Sequence, residues 1–69
     1  MGRQEGVAVV ALKKWQREVK VGQQARGLYF YNKAKMISGE VKEANHSFVF
    51  VQVGAARLAI SREDLKRPV

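Results

Sequence analysis

The 69-residue chain contains no cysteine, one proline and one histidine. Lacking cysteine, it has no disulfide scaffold, no thiol nucleophile and no cysteine zinc site. Acidic residues are scarce: 6 Asp plus Glu stand against 13 Lys plus Arg, for a formal net charge of +7. Long apolar runs are missing too. The longest, Val7 to Leu12, falls far short of the roughly 20 residues of a membrane-spanning helix. Its basic residues, Lys13 and Lys14, follow the run instead of preceding it, which is not the order of a signal peptide. Gly2 opens no myristoylation motif, because Gly6 stands where Ser or Thr is required. The expectation is a cytoplasmic protein without a membrane partner.

Recognisable catalytic chemistry is also lacking. Gly2, Gly6, Gly22, Gly27, Gly39 and Gly54 compose neither a dinucleotide fingerprint nor a P-loop. His46 sits in a polar stretch with no partner for a metal and no positioned nucleophile beside it. Ser38, Ser47, Ser61 and Asp64 have no nucleophile-elbow context. The reading is therefore a non-enzyme with no cofactor, no metal and no small-molecule substrate.

What the chain does have is asymmetric charge. Residues 1–35 carry eight bases (Arg3, Lys13, Lys14, Arg17, Lys20, Arg26, Lys33, Lys35) and two acids, a net of +6. Residues 36–69 carry five bases and four acids, a net of +1. An excess gathered in one half points to a polyanionic partner, most simply nucleic acid. The plainer alternative is charge that serves solubility. Apolar residues at 46% fit a folded chain, and the length fits one domain over residues 1–69. So small a domain buries only about 60% of its unfolded surface, which makes a homo-oligomer or a partner protein a natural source of extra stability.

Periodicity divides the chain in two. Over residues 7–21, a helix places Ala8, Leu12, Trp15 and Val19 on one stripe, while a strand is favoured by the β-branched start. The compromise is an extended start and a helical turn through Lys13–Arg17, closed by Gly22. Residues 23–69 read as strands. They comprise a run ending in Leu28-Tyr29-Phe30-Tyr31, a hairpin tip at Asn32-Lys33, a run from Lys35 to Glu43 bent at Gly39, and a polar turn through Ser47. Phe48 to Val53 is the clearest strand, and Gly54-Ala55 turns into Arg57–Ser61. Ser61 to Asp64 has the capping pattern of one helical turn, before a last short strand from Leu65 to Val69. Five strands of this kind describe an all-β, small SH3-like or Sm-like barrel, with or without a short N-terminal helix.

Two strands are apolar on both faces, Phe48 to Val51 and Leu28 to Tyr31, although a small barrel buries one face only. The outward set can form an oligomer interface, a stacking platform for single-stranded bases, or the seat of the N-terminal segment. Tyr29 and Tyr31 are the stacking candidates, with Leu28 and Phe30 assigned to the core. Lys33, Lys35 and Arg26 flank them, and Lys13, Lys14 and Arg17 surround Trp15. Lys13, Lys14, Arg17, Arg26, Tyr29, Tyr31, Lys33 and Lys35 are the candidate nucleic-acid contacts.

The stretch Leu28 to Val51, LYFYNKAKMISGEVKEANHSFVFV, resembles the Sm-like core of the Hfq family of bacterial RNA chaperones. Shared are a strand, an Asn-containing turn, a Lys, a bend Gly and an apolar strand after a polar turn. Where that family carries Tyr-Lys-His-Ala, this chain has RLAIS. The C-terminal half, FVFVQVGAARLAISREDL, is similar to Tudor-type and KOW-type SH3-like barrels, including the C-terminal domain of ProQ RNA chaperones. These resemblances imply RNA binding in preference to DNA, in a chaperone-like or regulatory role. The alternative is a protein-interaction module docking onto a larger machine, such as a polymerase, a ribosome or a phage target.

Overall fold

A computed structural model describes residues 12–67, so residues 7–11 of the N-terminal segment, and Pro68 and Val69 of the expected last strand, lie outside the described residues. The elements in chain order are α1 (Lys14–Glu18), β1 (Gln24–Tyr29), β2 (Asn32–Ala44), β3 (Phe48–Val53) and β4 (Ala56–Lys66). All strand pairs are antiparallel, and pairing of β4 with β1 closes the sheet into a barrel.

Each of the four strands pairs with two others, and the two longest, β2 and β4, divide their length between their partners. β2 is 13 residues long; its first half pairs with β1 (Leu28 opposite Met36), its second half with β3 (Ala44 opposite Val49). Glu40, opposite both Gln24 and Gln52, marks the changeover. Gly39 sits at that corner because a Cβ there would run into the Gln52 carbonyl, the bend role its position predicts. β4 is shared as well: Ala56–Ser61 pairs with β3, while Leu65–Lys66 and Ile60 pair with β1. At this second crossing Gly27 is required: a Cβ would lie 2.6 Å from the Asp64 carbonyl oxygen and 2.7 Å from Ile60 Cγ2.

The helical turn expected over Ser61–Asp64 is absent, and the separate fifth strand is absorbed into β4. Ser61 pairs with Phe48, and the Arg62 N–H donates to the Ser47 carbonyl at 2.9 Å. Those groups are committed to the sheet, which outcompetes a local capping pattern. The first hairpin tip also moves. Tyr29 pairs with Asn32, so Phe30 and Tyr31 form the turn in place of Asn32-Lys33. Elsewhere the turns fall where expected. Asn45 Oδ1 accepts from the amides of Ser47 (2.9 Å) and Phe48 (2.8 Å), an Asx-type turn. Gly54 turns with φ 61°, and Gly22 with φ 98° in the turn Lys20–Gln23.

The core comprises Ala25, Ile37, Val41, Val49, Val51, Ile60 and Leu65, with Trp15, Val19, Tyr29, Ala44, Val53 and Leu58 packed around it. β-Branched residues dominate its centre, as befits a pleated, two-sided enclosure. α1 spans the expected helical turn, shifted by one residue.

Candidate nucleic-acid interface

Strand alternation turns Val49 and Val51 fully inward, so Phe48 and Phe50 face out, half-buried. The Phe30 N–H donates to the Ala59 carbonyl at 2.9 Å and draws the β1–β2 tip onto this face. Five rings then touch in sequence. Tyr29 to Tyr31 is 5.9 Å between centroids, Tyr31 to Phe30 5.1 Å, Phe30 to Phe48 4.8 Å and Phe48 to Phe50 6.3 Å. The first three contacts are edge-to-face, the arrangement aromatic quadrupoles favour. Tyr31 is 77% exposed and Phe30 38%.

The assignment of Tyr29 to the surface and Phe30 to the core is thereby reversed. Ala25 and Gly27 face inward, and a register irregularity beyond Leu28 leaves Tyr29 leaning on the core while Phe30 turns out. Tyr31 keeps its predicted place, and Tyr29 joins the row by its ring edge.

Lys33 lies beside this row. Its Nζ is 5.6 Å from the Phe30 ring centroid and 2.7 Å from Asp64 Oδ2. The hydrogen bond to Asp64 raises the Lys33 ammonium above the ordinary lysine value, against a smaller opposing effect of desolvation. Lys33 is therefore already paired, whereas Lys35, exposed further along β2, has no ion pair among the described residues.

Lys13, Lys14 and Arg17 are exposed on and before α1. This five-residue helix is too short to stand alone, and two buried polar side chains hold it. Gln16 Oε1 accepts from the Lys13 N–H at 2.9 Å, while its Nε2 donates to the Leu65 carbonyl at 3.2 Å and that of Glu63 at 3.4 Å. Arg62, 7% exposed, donates from Nη1 to the carbonyls of Gln16 (2.8 Å), Val19 (2.9 Å) and Arg17 (3.2 Å), and from Nε to Asn45 (2.7 Å). Its guanidinium thus meets the carbonyl end of α1, where a cation is favoured. Burial lowers Arg62 from its ordinary value. Neither Gln16 nor Arg62 stands out by composition. The one signal is that Arg62 lies two residues beyond Ile60, on the inward face of β4.

Arg26, half-buried on β1, lies with Trp15 along a groove at the foot of α1. The candidates thus fall into three places: Tyr29, Tyr31, Lys33 and Lys35 on and after the first hairpin, Lys13, Lys14 and Arg17 at α1, and Arg26 at the groove. His46 is exposed in the β2–β3 turn. Among the described residues no cluster of His, Cys, Asp or Glu could hold a metal ion, and no helix is long and apolar enough to cross a membrane. No family model, curated protein or solved structure matches the chain.

Proposed function

We propose that this protein is a nucleic-acid-binding barrel of the SH3-like or Sm-like kind, acting on single-stranded RNA in preference to DNA in a chaperone-like or regulatory role. The observation that carries the reading is the five-ring row from Tyr29 to Phe50 on a chain of net charge +7. Unstacked bases gain about 1–3 kcal/mol each on such rings, and cations along the rim neutralise phosphates. Tyr31 and Phe30 offer exposed ring surface, and Lys35, Lys13, Lys14 and Arg17 supply charge. The preference for RNA rests on the resemblance to RNA-chaperone barrels.

Phe30, Tyr31 and Met36 are large apolar residues left exposed, which favours a second reading, docking of a protein partner or another copy of the chain. Fluorescence anisotropy of labelled single-stranded RNA and duplex DNA over a salt series, with light scattering on the same samples, separates the two. RNA binding at micromolar protein that weakens steeply with salt is the expected result. Absence of RNA binding at low salt would reject the nucleic-acid reading.

A further inference from the structure

We propose that the groove beneath α1 is a second nucleotide subsite, separate from the aromatic row, which takes one base against Trp15 and its phosphate on Arg26. The inference rests on the nucleic-acid reading and extends it to a different surface. The groove has a volume of about 470 Å³, enough for one nucleotide, and lies between α1, β1 and the end of β4. Trp15, Val19 and Leu65 make its apolar wall; Arg26, Lys66 and Glu18 make the charged one. Two cations against one acid suit an anionic occupant. Arg67, not itself a wall, stands over the Trp15 ring with its guanidinium carbon 5.4 Å from the centroid, so it supplies positive charge there and shares that ring face with an incoming base.

Arg26 is the decisive residue. Its Nε is buried with no hydrogen-bond partner, and its side chain forms neither a hydrogen bond nor an ion pair among the described residues. Arg26 lines the groove and is only half-buried, so a guanidinium without a partner among the described residues leaves its outer donors for an incoming acceptor. Arginine's planar fork matches a phosphate.

Trp15 is the single tryptophan of the chain and lines this groove, so its emission reports changes there. The experiment titrates full-length protein with oligouridine, following Trp15 fluorescence and, in parallel, the anisotropy of a labelled copy of the same RNA. Expected are saturable quenching at the RNA concentrations where anisotropy rises, and a loss of about tenfold in affinity in Arg26→Gln, the scale of one charge-assisted hydrogen bond. Tyr31→Ala should weaken binding yet leave the quench at saturation intact. Lys66→Gln, at an exposed position, gives the same test with a smaller loss should Arg26→Gln fail to fold. Anisotropy that rises without any change at Trp15 would overturn the subsite and leave the nucleic-acid reading standing, as would both groove variants binding like the parent. Equal quenching by an oligoglutamate peptide would assign the groove to a protein partner instead. No anisotropy change at low salt would remove both proposals.

Discussion

Arg62 is one side chain bonded to four backbone carbonyls in two parts of the chain, the end of α1 and the β2–β3 turn. Removing it leaves four carbonyls without that donor, the Gln16 carbonyl among them buried. Arg62→Leu is expected to lower stability by about 2–4 kcal/mol in urea unfolding. Arg62→Lys should recover little of that, because a single ammonium cannot span both sites. A variant as stable as the parent would show that α1 docks by its apolar contacts alone. Tyr31 presents the opposite case. Exposed at the hairpin tip, it contributes almost nothing to burial, so Tyr31→Ala should change stability by less than about 0.5 kcal/mol. The same change should weaken RNA binding by about 1–3 kcal/mol in anisotropy titrations. Equal binding by the variant would exclude Tyr31 as a stacking platform. Lys33 teaches caution about charge. Lys33→Glu would set two carboxylates against each other at Asp64, so the fold suffers along with any phosphate contact. Lys35→Glu tests the surface cleanly.

Among the elements, β3 and the turn glycines are legible because their signals are local: a run of aromatic and β-branched residues from Phe48 to Val53, and Gly22 and Gly54, both at positive φ, in the turns. The bend at Gly39 was legible as well. What is not legible depends on distant strands. The Ser61–Asp64 pattern reads as a capped turn until Phe48 and Ser47 are known to lie opposite. The inward Tyr29 depends on a register irregularity that no periodicity announces. Of the candidate contacts, Tyr29, Tyr31 and Lys33 gather at the aromatic row. The placement of the α1 cations depends on Gln16 and Arg62, whose long-range hydrogen bonds anchor that helix. Gly27 shows the same dependence on partners, since its need for a missing side chain comes from β4 crossing above it. Gly27→Ala is expected to destabilise the barrel by about 1–3 kcal/mol through overpacking, read as a lower denaturation midpoint with secondary structure kept. A midpoint equal to the parent's would mean that the β1–β4 crossing can open without penalty.

For the molecule as a whole, the net charge of +7 governs association. Neutralisation of four phosphates by Lys13, Lys14, Arg17 and Lys35 gives a slope of about −3 for log K against log salt on single strands, at roughly 0.7 per phosphate. A slope near zero would mean that the charge serves solubility and that contacts are made through the rings alone. The closure of the barrel has a further consequence, for the speed at which the chain finds its shape. β1–β2 and β3–β4 are hairpins whose strands are neighbours in the chain, whereas the ladder that seals the ring joins Arg26 to Lys66. Loop-closure entropy must be met before that distant pairing returns any stabilisation, and barrels of this connectivity fold in milliseconds to seconds. Until the seam forms, the hairpins expose the valines of their inner faces, and the abundant lysine and arginine keep such half-made chains apart by mutual repulsion.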